Sequence, residues 1–163
     1  GTKTEIKKTF MNLLAILLVL ATTLAPAKDL IIPGRSIALV ELGQTIEQAT
    51  KNDPGKYVTV IIGESKTAET LFTQYGGPFN TPEGIGAITP REFIEESYGL
   101  GRETKGKPSI YPGVKKWWLW FDQRGIGFTG FTAPNGSIST GIFIYRPGTK
   151  ALQVKNEWNC EEH

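Results

Sequence analysis

The chain has 163 residues, 39% hydrophobic and 21% charged, which suffices for one ordinary domain and excludes wholesale disorder. Of its 18 basic and 16 acidic residues, three and one precede Lys28, so 15 of each remain and the rest is formally neutral. A neutral chain without a basic stripe lacks the counterion-displacing surface on which nucleic-acid binding draws.

Residues 1–27 read as a secretory signal peptide with a short upstream stretch. Lys7 and Lys8 precede the apolar run 13–21, and Ala25-Pro26-Ala27 supplies a small-x-small cleavage pattern. The run is well short of the ~20 residues that span a bilayer. The expected product is a secreted or periplasmic bacterial protein, cleaved near Ala27 and keeping no stable membrane anchor. Cys160 is the only cysteine, so no disulfide can form within the chain.

Residues 28–150 read as a single α+β domain, with a polar tail at 151–163. A local pattern occurs twice. Leu42-Gly43-Gln44-Thr45-Ile46-Glu47-Gln48 has a partner in Ile85-Gly86-Ala87-Ile88-Thr89-Pro90-Arg91-Glu92. Each is an aliphatic-Gly step followed by a Thr with Gln or Glu three residues on, the capping-box spelling of a helix start. Strand-forming residues follow both, which predicts two tandem repeats, about 31–77 and 78–148. Each would be a short helix packed on one face of an antiparallel meander.

In chain order, 31–42 is extended with a turn at Pro33-Gly34, and a helix runs from Thr45 to about Lys51 before the breakers Asn52-Asp53-Pro54-Gly55. Residues 57–62 and 70–75 read as paired strands, with Gly76-Gly77-Pro78 closing the first copy. In the second copy Thr89 is the expected cap and Pro90 the first helical residue. Phe93, Ile94 and Tyr98 form the apolar side, Glu92, Glu95 and Glu96 the wet one, and Gly99 the stop. Residues 101–113 read as a polar loop. Strands follow at 117–121, 126–131 and 138–145, joined by Asp122-Gln123-Arg124-Gly125 and by a hairpin at Asn135-Gly136.

Strand alternation sorts the side chains. Leu119, Phe121, Ile126, Phe128, Ile138, Ile142 and Ile144 fall on the face expected beneath the helices. Trp118, Trp120, Thr129, Phe131, Phe143 and Tyr145 fall on the other. This aromatic face reads in two ways: an open platform for a partner, since aromatics dominate interface hot spots, or a surface covered by the tail or the other repeat. The leading candidate binding residues are Trp118, Trp120, Phe131, Phe143 and Tyr145, with Asp122 and Arg124 at the adjacent turn.

Other motifs carry less. Gly125-Ile126-Gly127-Phe128-Thr129-Gly130 matches G-x-G-x-x-G but lies within a strand, where glycines mark close backbone approach and not a dinucleotide site. Cys160 and His163 are two ligands where a zinc site wants four, so no metal and no cofactor are expected. His163 is the only histidine and lies at the end of the chain, which leaves Ser-His or Cys-His catalysis without a base. The Glu92, Glu95 and Glu96 set reads as solvated charge, and Asn135-Gly136-Ser137 as a turn.

The wording of Glu83-Gly84-Ile85-Gly86, Thr89 through Gly99, Leu119 through Phe128 and Gly141 through Pro147 resembles the helix-plus-sheet repeat of β-lactamase-inhibitory proteins and of the small lipoproteins of outer-membrane assembly. The likeness spans most of 31–148. It implies helices on one face and a curved sheet whose open face docks protein. The assembly lipoproteins carry a lipidated cysteine where this chain has Ala27-Lys28, and the inhibitors carry disulfides that this chain cannot make. The expected function is an exported, non-enzymatic protein-binding module, an inhibitor or envelope-assembly factor. The alternative is a carbohydrate-binding or carboxylate-based glycan-active protein, since two carboxylates and aromatic platforms are all that chemistry requires.

Overall fold

The computed structural model describes residues 29–74, 77–154 and 160–161. The expected signal peptide (1–27), Gly76 and His163 lie outside them. The described chain is α+β, with two helices, a small antiparallel sheet and a large one.

β1 (Ile31–Ile32), β2 (Ser36–Ile37) and β3 (Val40–Glu41) make the small sheet. Ile31 and Ile37 are a paired, fully buried couple, and Gly34 N–H fastens the turn to the Gly125 carbonyl at 3.1 Å. The first helix (Ile46–Asn52) opens as its spelling predicts. Thr45 Oγ1 accepts from Gln48 N–H at 3.2 Å, and Gln48 Oε1 accepts from Thr45 N–H at 3.0 Å. That reciprocal pair satisfies two otherwise free donors of a seven-residue helix.

The large sheet is antiparallel throughout. β4 (Val58–Ile62), β5 (Ala68–Thr73), β6 (Arg102–Gly106), β7 (Lys115–Phe121), β8 (Ile126–Thr132) and β9 (Ile138–Tyr145) lie in the order β6-β7-β8-β9-β5-β4. The two-residue β10 (Cys160–Glu161) adds to the outer edge of β6. The last three strands of the meander and both turns stand where the sequence puts them.

Three expectations are corrected. Residues 101–113 are not all loop, since β6 pairs with β7 through Arg102↔Trp120, Glu103↔Leu119 and Thr104↔Trp118. An edge strand made of Arg, Glu, Thr, Lys and Gly has no apolar alternation to betray it; the ladder and the Trp120 Nε1–H bond to Thr104 Oγ1, at 2.7 Å, order it. The second helix (Arg91–Tyr98) has Pro90 at its cap and no side-chain cap bond, because Thr89 Oγ1 is taken by Gly86 N–H at 2.8 Å. On that helix the inward stripe is Arg91, Ile94, Glu95 and Tyr98, and Phe93 is exposed. Helical spacing puts positions 91, 94, 95 and 98 on one side and turns 93 away.

The sheet is buried on both faces. Against the helices lie Leu71, Leu119, Phe121, Ile126, Phe128, Ile142 and Ile144, with Ile31, Ile37, Ala49, Ile85 and Ile94 above them. On the opposite face Phe72, Trp118, Trp120, Phe143, Tyr145 and Val154 form a second buried cluster, joined by the partly buried Ile61, Phe131 and Ala151. The tail is therefore partly structural: Leu152 N–H donates to the buried Thr70 Oγ1 at 2.9 Å, which lays 151–154 across this face.

Glycine makes room for an indole in each core. A Cβ on Gly127 would stand 2.3 Å from Trp120 Cε3, and one on Gly130 would stand 2.2 Å from Trp117 Cζ2; both glycines are direct cross-strand partners of those indoles. The last two glycines of the G-x-G-x-x-G run are thus the footprint of tryptophan rings lying against a strand, and the first belongs to the turn. Gly127→Ala is expected to cost about 1–3 kcal/mol of stability, the usual penalty of overpacking a closed core. Urea denaturation checks this, and an unshifted midpoint would contradict the packing.

Candidate functional site

The structure gathers the predicted aromatic residues into one cluster and closes it. Trp118 and Trp120 are 3% and 2% exposed, and Phe143 and Tyr145 are fully buried. Trp120 is 5.1 Å from Phe143 and 6.2 Å from Tyr145 between ring centroids, and Phe143 lies 4.4 Å from Phe72. The expectation of an outward docking platform is overturned for these four. The physical reason is coverage: β6 supplies an acceptor for the indole N–H, β5 supplies Phe72, and the 151–154 segment lies over the rest. Phe131 is the exception. It is half-buried, with Lys116 Nζ 5.2 Å from its ring centroid.

Phe131 leads to a surface groove. A half-open apolar groove of about 490 Å³ runs past the β8–β9 hairpin, lined by Phe131, Ile88, Tyr111, Val114 and Ile138 among others. At its rim Ile88 is 79% and Tyr111 62% exposed, and the neighbouring Ile110 is 84% exposed. Ser139 Oγ, buried without a hydrogen-bond partner among the described residues, also lines it. Ile88 comes from the loop before the second helix. That loop is held by the Thr140 N–H bond to the Ala87 carbonyl at 2.8 Å and the Thr140 Oγ1 bond to the Thr89 carbonyl at 2.6 Å. Tyr111 comes from the loop between β6 and β7.

The groove shares Ser109, Tyr111 and Val114 with a second cleft of about 470 Å³ that is lined by Lys105, Lys107 and Lys116. The stretch 104–118 contains four lysines and no acid. Glu103 also lines that cleft but is bridged to Arg91, so an apolar slot lies beside a lysine-rich one. Sequence reasoning missed Ile88, Tyr111, Val114 and Ile138; the legible signal was Ile110-Tyr111 set between Pro108 and Pro112 in an otherwise polar stretch.

Asp122 and Arg124 are committed elsewhere. Asp122 accepts from Arg102 Nε at 2.8 Å and from the Tyr145 hydroxyl at 2.7 Å. Arg124 donates to Glu83 Oε1 at 3.2 Å and stacks 3.9 Å from the Tyr98 ring centroid. Tyr98 in turn donates to Glu83 Oε2 at 2.9 Å. Burial pushes the Tyr98 phenol up to about 12, aided by its bond to Glu83. Burial also pushes Asp122 upward, but Arg102 and Tyr145 outweigh it and hold the carboxyl below its ordinary value; Glu83 is held down in the same way. Glu95 bonds Arg91, which also bridges to Glu103, so one of the three helix glutamates is a structural ion-pair member.

No group of three or more metal-ligating side chains occurs among the described residues, and no helix there is long and apolar enough to cross a membrane. Comparison of the chain with protein-family models, with curated proteins and with solved structures returned no match.

Asp122 yields a pH prediction. A carboxylate whose folded pKa is depressed stabilises fully above its unfolded value, here 3.8, and that stability is lost as pH falls through the lower folded value. Asp122→Asn is expected to lower stability at neutral pH and to flatten the acid limb of a stability–pH profile, read by urea denaturation. An acid limb equal to that of the parent would contradict the assignment.

Proposed function

We propose that the chain is an exported, non-catalytic protein-binding module of the bacterial envelope or its surroundings, built from two copies of one helix-and-strand unit. The observation that carries the binding reading is the groove at the β8–β9 tip: an apolar slot rimmed by exposed Ile88 and Tyr111 beside a lysine-lined cleft. Such a pairing suits a polypeptide that offers one or two apolar anchors flanked by Asp or Glu. Apolar anchors give affinity, and opposite charge gives rate and selectivity.

The non-catalytic reading draws support from the carboxylates. A glycosidase pair needs one carboxylic acid held up as a proton donor. Here Glu69, Glu83, Glu103 and Asp122 are all held down, each through hydrogen bonds from its neighbours.

The two-unit reading draws support from the registers. Phe72 pairs with Phe143 across β5 and β9. A half-turn about that pair carries β4–β5 onto β8–β9, taking Val58 to Ile126 and Val60 to Phe128. It also carries the Ala68 N–H bond to the Gln44 carbonyl onto the Thr140 N–H bond to the Ala87 carbonyl, both 2.8 Å. The bulge between Ile61 and Ile62 is what brings these positions into step.

Panning a displayed peptide library against the purified chain tests the groove. Enriched peptides are expected to combine an aliphatic or aromatic residue with Asp or Glu, to weaken with salt, and to lose at least about tenfold affinity when Ile88 and Tyr111 are both replaced by Ala, since each anchor is worth ~1.5–3 kcal/mol. Binding indifferent to that double replacement, or retention on a glycan array instead, overturns the reading.

A further inference from the structure

β4 is composed as an interior strand yet lies at the edge of the sheet. Val58 and Val60 pack toward the helix-side core and Ile61 toward the aromatic one, so the strand is apolar on both sides. That is the composition of a strand covered on both faces, and it leaves the backbone of the outer edge without a charged side chain of its own. Among the described residues only β5 pairs with it. Its five residues include neither a charge nor a proline, two of the usual protections of an exposed edge, and the bulge at Ile61/Ile62 and Asp53 on the Val58 N–H confine the free stretch. None of the five is fully buried, and Thr59 is exposed.

The ladder fixes which backbone groups are left over. Tyr145 N–H donates to the Gly125 carbonyl, so Phe143 and Tyr145 face β8 while Ile142 and Ile144 face β5, opposite Thr73 and Leu71. Phe72 and Thr70 then bond toward β4, opposite Thr59 and Ile61. Val58, Val60 and Ile62 therefore turn their N–H and carbonyl groups outward. Val58 N–H is accordingly found on Asp53 Oδ2, at 2.8 Å.

We propose that β4 pairs antiparallel with β4 of a second copy, about a two-fold axis through Val60, so that the two large sheets become one. In this register Val60 exchanges N–H and carbonyl bonds with its counterpart, and Ile62 N–H reaches the carbonyl of Val58 on the other copy. Asp53 already holds Val58 N–H, which ends the ladder and keeps it short. The segment is uncharged, so a two-fold pairing sets no like charges together. The half-exposed Leu39 and Tyr57 line a cleft of about 280 Å³ with Val58, and the added strand extends cover toward them. The two-unit reading agrees: β4 then corresponds to β8, and the second copy takes the place that β7 holds beside β8. That last support rests on the reading above; the unpaired edge does not.

Sedimentation velocity over a wide concentration range tests this. The purified chain is expected to approach twice its 17.9 kDa mass, while Val60→Pro stays monomeric with unchanged circular dichroism. Proline is tolerated there because the lost N–H points away from β5. If Val60→Pro does not fold, Thr59→Lys, at an exposed position, is expected to give the same folded monomer. Replacing Ile88 and Tyr111 by Ala leaves the dimer intact, which separates this edge from the groove. A parent chain that is monomeric at every concentration, or a folded edge variant that still dimerises, overturns the proposal.

Discussion

A buried indole makes two demands, apolar cover for its rings and an acceptor for its N–H, and Trp120 places both on the rest of this molecule. The acceptor is Thr104 Oγ1, which requires 102–106 to run as a strand beside β7. The rings lie over Gly127, which requires that position to have no side chain, and against Phe143 and Tyr145 of β9. Arg102, held 5.9 Å above the same ring system, is aimed from there at Asp122. Remove the indole and the edge strand, the glycine and the ion pair all lose their reason.

The turn at 122–125 is where the two faces of the sheet are tied. Asp122 points to the aromatic side, toward Arg102 and Tyr145, while Arg124 points to the helical side, toward Glu83 and Tyr98. Gly125 between them is left-handed at φ +68°, and a Cβ there would stand 2.2 Å from the Tyr145 carbonyl oxygen. Only glycine fits such a place. The turn also receives the small sheet, through Gly34. One four-residue segment thus joins the N-terminal sheet, both cores and the end of β9.

How much of this was legible in the sequence follows from what each element needs from afar. The meander was legible because alternation and Asn135-Gly136 are local signals. The first helix was legible because its capping box is complete within four residues. β6 was not, because its order comes from β7 and from one tryptophan N–H sixteen residues away. The sorting of side chains between faces held except for Ile138, which lines the groove and not the helix-side core; the larger error lay in taking the ring-bearing face as open. What covers it, polar β6 and the short 151–154 stretch, has no hydrophobic periodicity of its own. The groove escaped notice for a related reason, since Ile88, Tyr111 and Ile138 belong to three separate segments that only the fold brings together.

Burial on both sides confines the proposed binding to the sheet's ends and edges, where the groove beside Phe131 and the outer side of β4 lie. The account therefore turns on whether the tryptophans are internal. Fluorine NMR of the chain labelled with 5-fluorotryptophan, each signal assigned by single replacement, measures it with a soluble paramagnetic chelate. Signals from Trp118 and Trp120 are expected to keep their linewidths as chelate is added. Broadening of those two to the extent seen for free fluorotryptophan would show an open aromatic face and contradict the account.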